Sequence, residues 1–248
     1  LSAEGDPVAG AEVLVLDEPL GAAQSGADGT FLLPPVPLGR AHLLQAGGVP
    51  GLGGAALAVD DATGDLTVTL SLPAADHGFE TGAEGFYASG SLWQRGRPDA
   101  TGLGPGTAFD GDWCWGVGLD GGGYPDDAEG RLLGPIVLGG DLDGDRLYLS
   151  FHYWSGTGVG FDGVQVSVSE GIATELAIPL GGYTDLVLGG LDHQPGWSGH
   201  TGGWRTAVFD LTDQLDAPLW QVVWTFGSDG GVNDAGFLID GVSLDAVD

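Results

Sequence analysis

The chain has 248 residues, which suits one large β-type domain or two smaller ones. Its 35 acidic and 6 basic residues give a formal net charge of −29, and all six basic residues are arginine. The electric field of this negative charge repels nucleic acid and anionic lipid. A chain without lysine also has no P-loop lysine, Schiff-base lysine or lysine nucleophile. The 49 glycines show no G-X-Y period, and hydrophobic residues make up 42% of the chain, so collagen and disorder are also excluded.

A single cysteine, Cys114, excludes an intrachain disulfide and any multi-cysteine metal site. No apolar run approaches the ~18 residues of a membrane-spanning helix, so membrane insertion is not expected. The chain contains no Met and shows no signal peptide. We therefore expect it to be a segment of a longer protein, with adjacent domains on the same parent chain.

The first part of the chain shows strand patterns and contains no Trp or Tyr. Residues alternate between apolar and polar at Ala11–Asp17 and at Leu66–Leu72, which is the period of a half-buried strand. All eight Trp and all five Tyr come later. This change of composition predicts two modules, residues 1–72 and 77–248, joined by a linker at Pro73–Asp76.

Two stretches of the first part carry a family resemblance. "PVAGAEVLVLD" and "SGADGTFLLPPVPLG" place a small-residue turn before one strand and a D-G-x-F turn before the next. This pattern resembles carboxypeptidase-regulatory-like modules, which are close to CnaB and transthyretin-like modules. The resemblance implies a small Ig/transthyretin-like β-sandwich that serves as a spacer. The isopeptide bond of some CnaB modules is excluded because the chain has no lysine.

The second part also alternates with a period of two. The runs are Arg146–Trp154, Gly163–Ser169 and Leu219–Phe226, and Gly/Asp-rich turn clusters separate them. In the last run Trp220, Val222, Trp224 and Phe226 share one face. Short strands at close spacing with no sustained 3.6-residue period predict an all-β sandwich or barrel.

Several motifs of the second part carry a more specific resemblance. "DWCWGVGLDGGGYPDD", "RLYLSFHYW", "FDGVQVSVSEG" and "VVWTFGSDGGVNDAGFLIDGVSL" follow one another in the order of a MAM-like jelly-roll module. Such modules follow secreted bacterial proteases of the immune-inhibitor-A and bacillopeptidase type, and they are similar to the cleaved-adhesin domains of gingipains. The resemblance implies a larger jelly-roll β-sandwich that is non-catalytic and calcium-stabilised.

Asp240 is the most anomalous acidic residue. In "FLIDGVSL" it shares the alternation of Leu238, Val242 and Leu244, so a regular strand aims its carboxylate at the core, where an unpaired charge is costly. Glu80, directly after Phe79, poses a similar problem, and the resemblance places acidic calcium ligands at both positions. Oxygen-only ligation suits Ca²⁺. The alternative is that Asp240 accepts backbone amides or caps a bulge at Gly241.

Other acidic loops offer weaker candidates. Asp229 and Asp234 stand just before the closing strand and are expected to contribute ligands to the calcium site at Asp240. Asp141, Asp143 and Asp145 alternate as at the start of an EF-hand loop, but no distal Glu follows, so a plain β-turn is the better interpretation. An acidic surface that serves only solubility or salt adaptation is the general alternative.

The sequence offers one candidate for ligand binding and no candidate set for catalysis. Cys114 lies in a predicted strand between two tryptophans, which is typical of a small buried hydrophobe rather than a nucleophile. The five histidines show no zinc-site spacing, and no acid pair stands out. Trp197, in the polar and Gly-rich "HQPGWSGHTGGW", is the candidate for an exposed, ligand-binding aromatic.

These observations predict an extracellular, non-catalytic module pair of a larger secreted or surface protein, with adhesion to a protein or glycan ligand as its function. The alternative is an accessory segment of a secreted protease that positions the enzyme or its substrate, and a neighbouring protease domain on the parent chain would favour it. A dedicated carbohydrate-binding module is a third hypothesis.

Overall fold

A computed structural model describes residues 1–2, 5–15, 22–33, 42–47, 49, 55–59, 66–68, 75–98, 102–171 and 173–247. The strands are β1 (Glu12–Val15), β2 (Ala22–Gln24), β3 (His42–Gly47), β4 (Ala55–Val59), β5 (Ala75–His77), β6 (Tyr87–Ser89), β7 (Gln94–Gly96), β8 (Cys114–Val117), β9 (Glu129–Leu133), β10 (Arg146–Gly156), β11 (Gly163–Glu170), β12 (Ala173–Ala177), β13 (Asp185–Leu188), β14 (Gln194–Gly196), β15 (Arg205–Asp210), β16 (Gln221–Gly227) and β17 (Gly236–Val247). The helical elements of this part are three short 3-10 turns, Gly139–Asp141, Gly189–Leu191 and Thr212–Asp216. The all-β prediction is confirmed.

The first four strands form one antiparallel sheet in the order β2-β1-β3-β4. Val13, Leu44, Ala46 and Val68 are buried together, with Phe31 packed against them. The alternation at Ala11–Asp17 thus corresponds to β1. Residues 66–68 are described but are not in a strand, and the rest of the strand predicted at Leu66–Leu72 lies outside the described residues.

Two further antiparallel sheets face each other and enclose the main core. One has the order β15-β10-β17-β8-β7, with β5 also paired to β17, and the other has the order β12-β11-β16-β9-β6. The three predicted alternating runs correspond to β10, β11 and β16. Trp220, Val222, Trp224 and Phe226 all lie in the core between the two sheets, as their shared face predicts.

The second sandwich begins earlier in the sequence than predicted. β5 contains Ala75 and Asp76, which were assigned to the linker, and Asp76 is paired with Ser243 of β17. The reason is that an extended segment adds a strand to an open sheet edge without needing an apolar pattern of its own. The division into two modules remains a prediction.

A β-bulge interrupts β17 at Gly241. The pairing of β10 with β17 changes register there, because Ser150 lies opposite Ser243 whereas His152 lies opposite Asp240. Gly241 has φ +53°, in the left-handed region that favours glycine. The extra residue reverses which face the following side chains occupy.

Candidate functional site

The bulge coincides with a break in the sheet. Along the same edge of β17, β8 pairs with residues 237–239 and β5 pairs with residues 242–244. Asp240 and Gly241 therefore face the gap between two partner strands. The chain entering β8 fills this gap, and we call Glu80, Phe109–Trp113 and Asp240 the gap site.

Asp240 and Glu80 hold the same loop through its backbone. One oxygen of Asp240, Oδ2, accepts the N–H groups of Phe109 (2.9 Å) and Asp110 (3.1 Å), and Oδ1 accepts the N–H of Gly241 (2.8 Å). Oε1 of Glu80 accepts the N–H groups of Asp112 (2.9 Å) and Trp113 (2.7 Å). Two carboxylates thus fix the five-residue loop that leads into β8.

The predicted orientation of Asp240 needs a correction. Asp240 is fully buried and shares a face with Leu238, but Val242 and Leu244 lie on the opposite face, in the core between the sheets. The bulge at Gly241 is the physical reason, since one inserted residue shifts the period-two alternation. Asp240 consequently lies under the loop of the gap site on the outer side of its sheet.

A left-handed residue directs the chain from β5 to the gap site. Phe79 has φ +61°, which is uncommon outside glycine. Its ring is fully buried and packs edge-on against Phe86, with 5.0 Å between ring centroids. Its carbonyl accepts hydrogen bonds from Nε and Nη2 of Arg95 on β7. These contacts hold the turn that places Glu80 beside the loop.

Within the gap site Asp112 is paired with Arg97 at 2.8 Å, whereas the buried charge of Asp240 is poorly compensated. Burial raises the pKa of Asp240 to about 7, and its amide partners only partly oppose this rise. His152, opposite Asp240 on β10, does not offset the charge, because burial lowers the pKa of its ring to about 4 and leaves it neutral at pH 7. The His152 ring instead stacks on Phe109, with centroids 3.6 Å apart.

The gap site offers hard oxygen donors of the kind that bind Ca²⁺ in proteins. Two carboxylates attached to one loop, one of them buried without a cationic partner in the described residues, provide the oxygen chemistry that Ca²⁺ prefers. The described residues contain no group of three or more His, Cys, Asp or Glu side chains at metal-binding spacing. Backbone carbonyls and water would therefore have to supply most of a shell of six to eight oxygens.

Asp229 and Asp234 lie away from the gap site. Asp234 lies before β17, whose first residue, Gly236, is four strand residues or ~13 Å from Asp240. Its Oδ2 is 2.8 Å from Nε2 of His200, and its Oδ1 accepts the N–H of Ala235. Asp229 accepts the N–H of Gly231. The structure brings Glu80 and Asp240 together but does not join Asp229 and Asp234 to them.

Asp229 and Asp234 instead belong to loops at one end of the sandwich. We call residues 124–127, 157–162, 189–193, 198–200 and 229–234 the apical loops. The fully buried Asp162 joins them, because it accepts hydrogen bonds from the Tyr124 hydroxyl and the Asp229 N–H, both at 2.8 Å. Tyr124 in turn accepts the N–H of Gly158 at 2.9 Å. Burial raises the pKa of Asp162.

The apical loops hold apolar side chains in solvent. Val232 is 84% exposed and Phe161 is 56% exposed. Val232 also has φ +56°, an outlier for a β-branched residue. Backbone strain of this kind costs ~1–3 kcal/mol and is concentrated at functional sites. A Cβ on Gly189 would lie 3.7 Å from the Phe161 ring and 3.8 Å from an Asp229 oxygen, so an exposed ring and a carboxylate flank this glycine.

The prediction that Trp197 is exposed is wrong. Trp197 is 4% exposed and stacks on Tyr153, with ring centroids 4.7 Å apart. Its backbone exchanges two hydrogen bonds with Val164 at 2.8 and 3.1 Å, and this strand-like pairing turns the ring into the core. The exposed aromatic ring of the apical loops belongs instead to Phe161, which the sequence analysis did not select. The available signal was an aromatic inside the Gly-rich turn "GVGFDG" between two strands.

Cys114 is a buried small hydrophobe, as predicted. It packs with Leu119, Trp154 and Leu238 on the outer side of the sheet. Burial, and then the charges of Asp240 and Glu80, raise the pKa of its thiol well above the ordinary range. The thiol therefore remains protonated and unreactive at neutral pH.

Comparison with known proteins gives similarities among solved structures alone. No family model matches the chain, and no curated protein matches it. No helix in the described part of the chain is long and apolar enough to cross a membrane.

Three solved structures illustrate the similarity. The carbohydrate-binding module TmCBM61, in complex with β-1,4-galactotriose, is 14% identical over 67% of this chain and 92% of its own, with a TM-score of 0.42. The K2 cleaved-adhesin domain of Lys-gingipain is 13% identical over 68% and 97%, with a TM-score of 0.42. The CBM22-1 xylan-binding domain of Paenibacillus barcinonensis Xyn10C is 12% identical over 70% and 93%, with a TM-score of 0.41.

The cleaved-adhesin resemblance read from the sequence thus has a counterpart among solved structures. The pairing of a carboxypeptidase-regulatory-like module with a MAM-like module remains a prediction. At these identities and TM-scores, the similarity assigns no function.

Proposed function

We propose that the chain is a non-catalytic, extracellular module pair that binds a neutral glycan through its apical loops and so acts in adhesion. The exposed ring of Phe161 beside Asp229, on loops strained at Val232, is the observation that carries this proposal. Binding residues are disproportionately on loops that a rigid scaffold positions. The buried Asp162, which joins these loops, supplies that rigidity.

The chemistry of the apical loops favours an uncharged sugar over other ligands. An exposed aromatic face offers an apolar platform for a sugar ring, and carboxylate oxygens accept hydrogen bonds from sugar hydroxyls. A net charge of −29 repels sulfated and other anionic glycans but leaves a neutral one unaffected. The Cys114 thiol stays protonated and is therefore unsuited to act as the nucleophile of a hydrolase, which agrees with a binding role.

A glycan array probed with the whole chain and with Phe161→Ala tests this proposal. We expect the variant to lose about tenfold or more in affinity for every glycan that the unaltered chain binds, since removal of a stacked ring costs ~1–3 kcal/mol by analogy with base stacking. Tyr87, 54% exposed on β6, provides the matched control, because Tyr87→Ala removes an exposed ring away from the apical loops. Equal binding by Phe161→Ala and the unaltered chain would exclude the apical loops as the site.

We further propose that Ca²⁺ stabilises the second sandwich at the gap site through Glu80 and Asp240. The support is the buried charge of Asp240, which lacks a cationic partner among the described residues. A ligand that binds the native state alone, at ~100 times its Kd, adds ~2.7 kcal/mol to the free energy of unfolding. We expect Ca²⁺ to raise the melting temperature by several degrees.

The control for calcium is Mg²⁺ at equal ionic strength, because any divalent cation screens the self-repulsion of this chain. Asp240→Asn should abolish the Ca²⁺-specific part of the shift. Asp143→Asn, at an exposed acidic turn, should leave that shift unchanged. Equal shifts with Ca²⁺ and Mg²⁺, or a Ca²⁺-specific shift that survives Asp240→Asn, would remove calcium from the gap site.

A further inference from the structure

Arg95 of β7 contacts both parts of the gap site. Its Nε and Nη2 donate hydrogen bonds to the Phe79 carbonyl, and Nη2 also donates to the Glu80 carbonyl at 3.4 Å. Its Cζ lies over the Trp113 ring, 4.1 Å from the centroid. One side chain therefore connects the turn that carries Glu80 with the loop that Glu80 holds.

The turn at Phe79 depends on contacts of this kind. A left-handed backbone is costly for a residue other than glycine and persists where the surrounding structure fixes it. The guanidinium of Arg95 provides two N–H groups in one rigid fork, and both are directed at the Phe79 carbonyl. A lysine at this position would keep the charge without the fork.

The position of the Glu80 carboxylate is narrowly defined. Its Oε1 accepts the N–H groups of Asp112 and Trp113, whereas Oε2 accepts no hydrogen bond from the described residues. A Cβ on Gly111 would lie only 2.4 Å from the Glu80 carboxyl carbon, so the carboxylate rests directly against this glycine. Oε2 is the oxygen that remains for a metal ion, and its position depends on the turn that Arg95 fixes.

A second arginine of β7 has the same charge but different contacts. The Cζ of Arg97 is 5.3 Å from the centroid of the Trp113 ring, and its Nη2 is 2.8 Å from Oδ2 of Asp112. Among the described residues Arg97 donates no hydrogen bond to the carbonyl of Phe79 or Glu80. A positive charge repels Ca²⁺, so on charge alone the loss of either arginine should tighten Ca²⁺ binding. The two arginines thus separate the effect of charge from the effect of position.

We propose that Arg95 is a positioning residue for Ca²⁺, because it fixes the carbonyls of Phe79 and Glu80 and so directs the Glu80 carboxylate toward the metal. Side chains that hold metal ligands in place typically contribute 10–100-fold to metal affinity. This gain exceeds the repulsion between Arg95 and the metal, which water and salt screen. The inference rests on the calcium site proposed above and is independent of the glycan site.

Calorimetric titration of the whole 248-residue chain with Ca²⁺ measures this contribution, in a constant background of Mg²⁺ and well below the melting temperature. Arg95→Gln should raise the Kd for Ca²⁺ about tenfold or more. Arg97→Gln is the matched control, because it removes the same charge from the same strand, and it should leave the Kd unchanged or lower it. Arg95→Lys keeps the charge but loses the fork, so it should not restore the affinity.

A Kd for Arg95→Gln equal to or lower than that of the unaltered chain would overturn the positioning role and leave the calcium site in place. A fall in melting temperature in EDTA without a change in Kd would overturn it as well, because Arg95 would then act on the fold alone. Equal weakening by Arg97→Gln would assign the effect to the loop as a whole.

Two further outcomes complete the test. If Arg95→Gln does not fold, Arg95→Lys decides the question, and an unaltered Kd for this variant would overturn the role of the fork. Absence of Ca²⁺ binding by the unaltered chain would overturn the calcium site and this inference with it.

Discussion

At the level of single residues, Asp240 combines structural and electrostatic roles. Its two oxygens accept three backbone N–H groups, which fixes the loop of the gap site. Its burial nevertheless places a negative charge in surroundings that solvate charge poorly. Asp240 therefore organises the loop and at the same time makes the stability of the sandwich depend on pH.

The pH dependence follows from the folded pKa of about 7, which lies above the ordinary Asp value of 3.8. Between these values the folded chain binds more protons than the unfolded chain, so the contribution of Asp240 to stability is complete below about pH 4 and is lost as the pH rises to about 7. In EDTA, we expect this residue to lower the free energy of unfolding by about 4 kcal/mol across that window.

Asp240→Asn isolates this contribution, because other carboxyls titrate equally in both proteins. Denaturant unfolding at several pH values should give a curve for the variant that falls less steeply between pH 4 and 7. Parallel curves for the two proteins would show that Asp240 keeps an ordinary pKa in the folded state.

At the level of elements, the bulge in β17 determines the position of the gap site. It lies between the segments paired with β8 and β5, and it separates the outward Asp240 from the inward Val242. In a strand of regular alternation, Asp240 and Val242 would lie on the same face. Either the carboxylate would then enter the core or the valine would leave it. The bulge thus allows one strand to serve two different faces.

Gly241→Ala tests how strongly the bulge requires glycine. An added Cβ would lie 2.9 Å from Cδ2 of His152, at φ +53°. We expect a loss of ~1–3 kcal/mol and a fall of several degrees in melting temperature. Gly203→Ala is the matched control, since its Cβ would meet nothing within 4 Å. If the two variants melt alike, the bulge is not glycine-dependent.

Periodicity predicted the long strands and failed at features that depend on distant partners. β10 and β16 carry complete alternating faces because each packs one side on the core, so local sequence sufficed. The bulge at Gly241 follows from pairing with β10, and the burial of Trp197 follows from its bridge to Val164. Neither pairing leaves a pattern in the residues next to it. Glu80 and Asp240 were brought together by family resemblance rather than by spacing.

At the level of the whole molecule, the second sandwich begins at β5, because this strand pairs with β17. β5 covers the edge of β17 at residues 242–244. An uncovered strand edge leaves unpaired backbone groups and invites association. A fragment that starts at His77, the predicted boundary, retains only one residue of this strand.

Two fragments test the boundary. We expect the sandwich in residues 73–248 to melt at nearly the same temperature as in the whole chain, because all of β5 is present. Residues 78–248 should melt several degrees lower, since three strand residues and their pairing with β17 are lost. Calorimetry on both fragments provides the measurement. Identical melting temperatures would show that β5 adds nothing to the stability of the sandwich.

The position of β17 in the sequence also affects when the sheet is able to form during synthesis. β17 lies between β10 on one side and β8 and β5 on the other, yet it follows all three along the chain. Ala75 pairs with Leu244, a contact that closes a loop of well over a hundred residues. Such high contact order slows folding. Until residue 247 has left the ribosome, a nascent chain lacks the complete central strand of this sheet, so β5, β8 and β10 wait for their common partner until nearly all of the 248 residues have been synthesised.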